Sequence, residues 1–393
     1  MNINRPCGTF DRNYFQAKEL YRTPLRKTLL GLFIILMYVF PFLIGDYGIS
    51  ILTLICAFTI GMLGLQIITG YCGQISIGHA AFMGIGMYTV AILQRHFGFS
   101  FWFCLPLAGL VPMFIGMLFG VPALRMKGLY LAFATLAAHF VIVYVISNWR
   151  SVTNGTDGMW MKRPVALFGI DFTQDRNYYF LVLTVTVIMT YLATNLARTK
   201  MGRSFVAVRD NDIAAEVMGI NIAMTKIWAF GIGCFFAGIS GALGGAYYEY
   251  VNVEWFGLDD SIWYLGFLVV GGFGSIFGAI AGATVWKVMD EVSTLVTPLT
   301  EVFLGGVAFY ASAAFSLIFY SLIVIVFLVF APRGIAHRWE IVKRSYRLHP
   351  FPYSGRWNKG LKENIISNKE VRKMKGKSGL IYLLAVLTVS IFF

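Results

Sequence analysis

The chain has 393 residues, of which 58% are hydrophobic and 13% charged, and its mean hydropathy is +0.70. Soluble domains contain about 25% charged residues, so this composition excludes an ordinary water-soluble protein. The formal net charge of +13 is concentrated towards the two ends of the chain, which favours anionic lipid headgroups over nucleic acid as its partner.

Long apolar runs recur along the whole chain. A helix needs about 20 apolar residues to cross about 30 Å of hydrocarbon. The runs therefore predict an all-α polytopic membrane protein with about ten transmembrane helices. The predicted spans lie near residues 29–45, 49–69, 79–95, 102–122, 128–147, 179–196, 226–250, 262–282, 284–299 and 304–330.

Basic segments predict the orientation of the chain. The N-terminal segment 1–28, the loop 197–225 and the tail 336–378 are rich in Lys and Arg, and the positive-inside rule places all of them in the cytoplasm. The segment 29–335 is the predicted transmembrane domain. The apolar segment 379–393 would form a helix of about 22 Å, too short to span comfortably. An interfacial position and a truncated or additional span both stay open for it.

Two features fit this topology less well. The loop 148–178 falls on the extracytoplasmic face although it contains basic residues, among them Arg163. The span 284–299 contains Lys287, Asp290 and Glu291, whose i, i+3 and i+4 spacing permits ion pairs within one helix. For these three residues a role in a transport pathway stays open, and so does a position near the cytoplasmic end from which they snorkel to water.

A Gly-rich polar segment separates the second and third predicted spans. Residues 69–79 read TGYCGQISIGH, which predicts an interruption of the helix. Non-helical backbone at membrane depth persists where protein or a water-filled cavity satisfies its amides. One interpretation is a transport pathway lined by Gln74, Ser76 and His79. The alternative is a simple cytoplasmic turn with His79 at the interface.

A second Gly-rich cluster occurs later in the chain. Residues 271–278 read GGFGSIFG. Small residues of this kind allow helices in a membrane to approach closely. The sequence therefore predicts close helix packing here in preference to a ligand site.

The basic loop 197–225 contains the pattern of a short surface helix. Asp210 or Asp212 is a candidate for its N-cap, and Gly219 occupies a C′-like position at its end. Alanine, valine and methionine residues between them, including Ala215, provide an apolar side. Such a helix either remains solvated or docks into a groove of a cytoplasmic protein.

Five blocks follow one another in a recognisable order. They read GQISIGHAAF at 73–82, LRMKGLYLA at 124–132, GRSFVAVRDNDIAAEVMGI at 202–220, VVGGFGS at 269–275 and PRG at 332–334. Together they resemble the pattern of LivM-type permeases of branched-chain amino-acid ABC transporters. The chain departs from that pattern at 153–158, TNGTDG, where Asn154 replaces a commoner Gly.

The resemblance implies an importer in the bacterial inner membrane, with the N-terminus of this chain in the cytoplasm. Its implied partners are a second, similar permease, two cytoplasmic ATPases and an extracytoplasmic binding protein. Mg-ATP would be bound by the ATPases, and this chain would carry no cofactor. The region 203–220 would be the coupling helix that meets an ATPase, with the following residues in that role: Arg203, Arg209, Asp210, Ala215, Gly219 and Ile220.

The sequence contains no constellation that indicates an enzyme. Its GKS triplet at 376–378 has Val371 where a P-loop requires the first Gly. The five cysteines are scattered, so no metal site is predicted. Two alternatives to amino-acid import stay open: a permease for urea or short amides, and a stand-alone secondary transporter coupled to an ion gradient.

Overall fold

The computed structural model describes residues 24–123, 126, 128–164, 171–304, 308–331 and 333–348. Most of the predicted segment 1–28, most of the tail 336–378 and the segment 379–393 lie outside the described residues. The helices, in chain order, are α1 (Pro24–Val39), α2 (Asp46–Leu65), α3 (His79–Phe97), α4 (Phe101–Ala123), α5 (Leu129–Asn148), α6 (Arg150–Thr153), α7 (Asp175–Arg198), α8 (Lys200–Asp210), α9 (Asp212–Val217), α10 (Ile222–Tyr248), α11 (Leu258–Gly271), α12 (Ile276–Leu304), α13 (Ala308–Phe330) and α14 (Gly334–Leu348).

Short irregular elements connect these helices. A π-helical turn, Gln66–Tyr71, continues α2, and 3₁₀ turns occupy Phe40–Phe42, Gly155–Asp157 and Val253–Phe256. The strands β1 (Met159–Trp160) and β2 (Tyr250–Val251) pair antiparallel and join the loop after α5 to the end of α10.

The prediction of an all-α polytopic membrane protein is confirmed. Among the described residues, these helical segments are long and apolar enough to cross a membrane: Asp46–Tyr71, Phe101–Val121, Leu129–Asn148, Asp175–Arg198 and Ile222–Tyr248. The pair Leu317–Phe330 and Gly334–Lys343, bent by 41°, would add a sixth span. The count of about ten spans stays a prediction.

The predicted span 262–282 is wrong. Residues 272–275 interrupt the helix there, so that α11 ends at Gly271 and α12 starts at Ile276. The 14 residues of α11 extend for only about 21 Å. The sequence reads as one span because the four interrupting residues are not charged, and hydropathy does not register a change of backbone direction.

Helix α10 forms the centre of the packed structure, where it contacts α2, α3 and α4. Glycines let these backbones approach closely. A Cβ added to Gly64 would lie 2.5 Å from the carbonyl oxygen of Gly233, and one added to Gly86 would lie 2.2 Å from that of Gly238. Because hydrophobic burial does not drive association of helices within lipid, such close packing is a main source of stability.

Arg163, one of the basic residues in the loop 148–178, has a structural role. Its guanidinium forms ion pairs of 2.5 Å with Asp175 and 2.8 Å with Glu249. It also lies over the rings of Tyr178 and Tyr247, at 5.6 and 5.4 Å from their centroids. Arg163 therefore joins the loop to the start of α7 and the end of α10, and its charge is compensated there.

The charged residues of α12 form a network with two neighbouring helices. Lys287 Nζ lies 2.7 Å from Asp290 and 2.8 Å from Glu291, which confirms that the spacing supports pairs within one helix. Tyr47 of α2 donates to Glu291, and Tyr320 of α13 donates to Asp290 at 3.1 Å. The Lys287 side chain is only 9% exposed, whereas that of Asp290 is 39% exposed, and the alternative in which the three residues snorkel to water stays a prediction.

Candidate functional site

The chain leaves the helical conformation between α2 and α3. After the π-helical turn, residues 72–78 are non-helical, and α3 starts at His79. Gly73 has a φ of +73°, which favours glycine. Gly78 packs so closely on α5 that an added Cβ would lie 2.5 Å from the carbonyl oxygen of Thr135. We call residues 72–78 the first break and residues 272–275 the second break.

Polar side chains in the first break, and that of His79 at the start of α3, are buried and contain atoms without hydrogen-bond partners. Gln74 is 3% exposed, and Ser76 and His79 are fully buried. Within the described part of the chain, both amide atoms of Gln74, the hydroxyl of Ser76 and Nδ1 of His79 have no hydrogen-bond partner. An unsatisfied buried polar group costs about 1–3 kcal/mol, so their concentration in one segment indicates a functional site.

His79 also has a structural contact. Its Nε2 donates to the carbonyl oxygen of Gly61 in α2 at 2.9 Å, which fixes the orientation of the ring. The next residue, Ala80, donates its backbone N–H to Ser261 Oγ at 3.0 Å. Ser261 belongs to α11, and its hydroxyl lies 3.5 Å from Nδ1 of His139. The first turn of α3 is therefore attached to both α2 and α11.

The sequence analysis missed the partners of the first break on α5 and α11. Thr135 Oγ1 accepts the backbone N–H of Ile77 at 3.0 Å, and His139 and Ser261 lie beside the start of α3. A signal for two of them was available, since Thr135 and His139 are i, i+4 neighbours within the segment 131–143, which is otherwise apolar. Nothing in the local sequence indicates the contact with Ser261, which is 181 positions from Ala80.

The second break supports the end of α2. Gln66 Nε2 donates to the carbonyl oxygen of Ser275 at 3.0 Å, and the carbonyl oxygen of Gly272 lies 3.4 Å from the same nitrogen. The helices on either side of the second break are in backbone contact, since a Cβ on Gly271 would lie 2.0 Å from the carbonyl oxygen of Gly278. This contact agrees with the predicted close packing of the cluster 271–278.

The loop 197–225 contains two helices, α8 and α9, where the sequence predicted one. The prediction that Asp210 or Asp212 caps the helix is wrong. Asn211 is extended between the two helices, and its side chain accepts the Ala214 N–H at 3.1 Å. Gly219 has the predicted C′ position, with a φ of +82°, and the following N–H of Ile220 bonds to the Ala215 carbonyl at 3.0 Å.

Helix α9 presents an apolar surface to its surroundings. Ile213, Val217 and Met218 are 69%, 82% and 81% exposed, whereas Ala215 is buried at 4%. Large exposed apolar side chains that lie together indicate an interaction site. The predicted coupling residue Arg203 is exposed on α8, and its guanidinium donates to the carbonyl oxygen of Arg198 at 2.9 Å.

Arg209 at the end of α8 connects this loop to the first break. Its Nη1 donates to the carbonyl oxygen of Gly70 at 2.8 Å, and its Nη2 pairs with Asp210 at 2.8 Å. Its side chain also packs on Gly73, where an added Cβ would lie 2.7 Å from Arg209 Cγ. A Cβ on Gly274 would lie 3.2 Å from Nη1. One guanidinium therefore contacts the end of α2 and lies beside the second break.

Comparisons with known proteins agree with this architecture. Residues 48–328 match a family described as branched-chain amino acid transport system / permease component. The chain is 30% identical over 307 residues to the LivM permease proteins of Salmonella typhimurium and Escherichia coli, with 72% of each chain covered. It is 24% identical over 216 residues to LivH of Salmonella typhimurium, which covers 50% of this chain and 62% of LivH.

No solved structure matches the chain. The family match covers the helices from α2 to α13, including both breaks and the loop that contains α8 and α9. The chain therefore belongs to the family of permease components of branched-chain amino acid transport systems.

Proposed function

We propose that this chain is a permease subunit of an ATP-driven importer of branched-chain amino acids. The observation that carries the proposal is the 30% identity with LivM, a high-affinity branched-chain amino acid transport system permease protein, over 72% of both chains. Family membership and the apolar helices make the chain a multi-pass protein of the bacterial inner membrane.

The proposal assigns the chain three kinds of partner. A second permease of the LivH kind completes the translocation pathway, because LivH is itself a relative of this chain. Two cytoplasmic ATPases bind Mg-ATP and supply the energy, and an extracytoplasmic binding protein delivers the substrate. This chain conducts and couples, and it performs no chemical step itself.

Helix α9 and the end of α8 are the proposed docking site for an ATPase. The exposed apolar side of α9 suits a groove in a partner protein. Asn211 and Gly219 define the two ends of α9, so that its exposed face is presented as a fixed unit. The backbone hydrogen bond from the Ile220 N–H to the Ala215 carbonyl oxygen stabilises the C-terminal end of α9.

Arg209 is the proposed link between docking and transport. A displacement of α8 by the ATPase acts through the guanidinium on the carbonyl oxygen of Gly70. Gly70 lies two residues before the first break. Within that break, Gly73 has a positive φ and directly precedes Gln74. Because a π-helical turn and a non-helical segment deform more readily than a regular helix, we infer that the first break is where the motion opens a path.

Gln74, Ser76 and His79 are the proposed polar lining of that path. Their unpartnered atoms provide hydrogen-bonding groups that substrate or water would satisfy once the break opens. The position of the first break at membrane depth is part of the proposal. The contact between His79 and Gly61 supports it. Gly61 lies within the candidate span Asp46–Tyr71, nine residues before Gly70. That separation is about 13 Å along the helix axis, away from the end of the span that Arg209 contacts.

The orientation of the chain is also a proposal. Helix α10 has 27 residues and is about 40 Å long, which places Ile222 and Tyr248 at opposite ends. Ile222 follows the basic loop that contains α8 and α9, so that loop and the N-terminus are assigned to the cytoplasm. The Arg163 cluster and the strands β1 and β2 are then extracytoplasmic.

The charged network of α12 favours this proposal over a stand-alone ion-coupled transporter. Such a transporter needs acidic side chains that bind and release an ion or proton along the pathway. Asp290 and Glu291 are each paired with Lys287 and bonded to a tyrosine of a neighbouring helix. This arrangement suits a structural role for both carboxylates.

The test is uptake of radiolabelled leucine and urea into proteoliposomes that contain this chain, its partner permease, the ATPases and the binding protein. ATP on the ATPase side should drive leucine uptake, and omission of ATP should abolish it. ATP-dependent uptake of urea alone would keep the mechanism and change the substrate to urea. Uptake of either compound without ATP would contradict the importer proposal and favour the ion-coupled alternative.

A further inference from the structure

A cavity of about 500 Å³ lies apart from the first break, between α2, α3, the turn Val253–Phe256, α11 and α12. Small-molecule sites usually have volumes of about 300–1,000 Å³. Met83 and Tyr264, 3% and 4% exposed, form part of its buried wall. Tyr248 and Trp255, which are about half exposed, lie at its rim. The cavity is therefore open to the surroundings on one side and is large enough for a small molecule.

The cavity opens at the end of the molecule that is distant from α8 and α9. Tyr248 is the last residue of α10, and α10 begins directly after α9. The inner part of the cavity lies beside the start of α3, because its wall includes Ala80, the neighbour of His79. The ring of His79, whose Nδ1 is unpartnered, lies 6.3 Å from the ring of Tyr264 in the same wall.

The lining of the cavity suits a cation with an apolar group. Among its described lining residues, only Glu254 and Asp260 are charged, and both are acidic. The rings of Tyr264 and Trp286, with centroids 5.5 Å apart, add aromatic faces that attract cations.

Another part of the lining is apolar and adaptable. Met83 and Met87, both buried, line it from successive turns of α3. Methionine side chains are flexible and polarisable, so they adjust to aliphatic groups of different shape. An amino acid with a branched side chain has both groups that this cavity suits, an ammonium and a compact apolar group. Its carboxylate would face the open side of the cavity, because the described lining residues carry negative charge and no positive charge.

We propose that this cavity binds the transported amino acid within the permease, with the ammonium group facing Glu254 and Asp260 and the side chain against Met83 and Met87. This inference rests on the proposed function and adds to it a recognition step in the membrane subunit. Urea carries neither a cation nor an apolar side chain, so it does not fit the cavity chemistry.

The test uses protection of an introduced thiol in the assembled transporter without its binding protein or ATP. Met87→Cys places the thiol in the cavity wall, and Tyr248→Cys places a second one at the rim in case the first variant does not assemble. L-leucine should slow modification by a small methanethiosulfonate reagent at least about threefold at saturation. Urea should not protect, and neither should 4-methylpentanoate, which keeps the side chain and carboxylate of leucine but lacks the ammonium group.

Three controls make the result specific to the cavity. Trp160→Cys, on the exposed strand β1 and outside the cavity, should react at the same rate with and without leucine. Asp260→Asn in the Met87→Cys background should abolish protection, whereas Asp259→Asn, at the exposed neighbouring position, should leave it unchanged. Reaction of the native cysteines is measured in the parent chain and subtracted.

The outcomes separate this proposal from the proposed function. Absence of protection by leucine, or equal protection by 4-methylpentanoate, would overturn the cavity assignment even if ATP-dependent leucine uptake is observed. Protection by leucine that depends on Asp260 supports the assignment, whether or not uptake is driven by ATP. In uptake assays, Asp260→Asn should lower the leucine rate about tenfold relative to Asp259→Asn.

Discussion

The two breaks in this permease are rich in glycine and lie side by side, yet they differ in how they satisfy polar groups. At the second break, glycines allow close backbone contact between α11 and α12, and the carbonyl oxygens of Ser275 and Gly272 accept hydrogen bonds from Gln66 Nε2. At the first break, Gln74 and Ser76 are buried with side-chain atoms that have no partner within the described residues. Glycine is therefore frequent both in a segment where two helices pack closely and in a segment whose buried polar side chains lack hydrogen-bond partners.

The difference shows that glycine content by itself does not identify a transport site. Buried polar side chains without partners are the more informative feature, because each one costs free energy that a purely structural segment would avoid. The two breaks lie close together, since Arg209 packs on Gly73 of the first break and lies beside Gly274 of the second. We therefore interpret the second break as the support and the first as the moving part.

The largest expected effect is a loss of stability when the backbone packing at the second break is disturbed. Gly278→Ala would place a Cβ 2.3 Å from the carbonyl oxygen of Gly272, which forces α11 and α12 apart and destabilises the fold by about 1–3 kcal/mol or more. Thermal unfolding of the purified protein in detergent measures the loss. Gly266→Ala in α11 is the matched control, since its nearest neighbour atom would be at an ordinary 3.6 Å. Equal melting temperatures for the two variants would contradict the packing role.

The next effect concerns the link between α8 and the first break. Arg209→Gln removes a charge-assisted hydrogen bond to Gly70, a contact of about 1.5–3 kcal/mol, and should reduce ATP-driven uptake about tenfold or more while ATP hydrolysis by the complex continues. The comparison variant is Arg203→Gln, at the other predicted coupling arginine, and it should have the smaller effect because the Arg203 guanidinium bonds within its own loop. If hydrolysis and uptake fall in the same proportion, Arg209 does not couple them.

A third prediction compares two glutamines, Gln66 at the start of the π-helical turn and Gln74 within the first break. Gln74→Leu removes amide atoms that have no partner among the described residues, so the free energy of unfolding should stay constant or rise by about 1 kcal/mol while uptake falls. Gln66→Leu removes the donor to Ser275 and should lower the free energy of unfolding by about 1–3 kcal/mol. Detergent unfolding and proteoliposome uptake distinguish the two. Destabilisation by Gln74→Leu would remove the argument for a pathway role.

The smallest effect is expected at the cap of α9. Asn211→Ala removes the side-chain acceptor for the Ala214 N–H and should destabilise α9 by about 0.5–2 kcal/mol. Hydrogen exchange of the α9 amides reports this fraying. Asp212→Ala, at one of the two N-cap candidates from the sequence, should have the smaller effect. The reverse order would show that the capping assignment from the structure is incorrect.

Much of the architecture could be predicted from the sequence because it depends on local properties. Hydropathy identifies lipid-crossing helices, and the spacing of Lys287, Asp290 and Glu291 anticipates their ion pairs. The C′ position of Gly219 follows from its place after an apolar helical pattern. In each case the determining interaction lies within a few residues of chain, where periodicity and residue type are sufficient.

The tertiary structure alone decided which of the two Gly-rich segments has unsatisfied polar atoms and which has close backbone contacts. It also decided that Arg209 bonds to Gly70, which is 139 positions away, and that Ser261 receives the N–H of Ala80. Hydrogen bonds between distant segments depend on how the helices pack together, and that packing depends on the shapes of all the contacting surfaces at once. The sequence by itself determined the membrane class, the family resemblance and most helix positions, whereas the geometry that connects the docking loop to the first break emerged only from the packed chain.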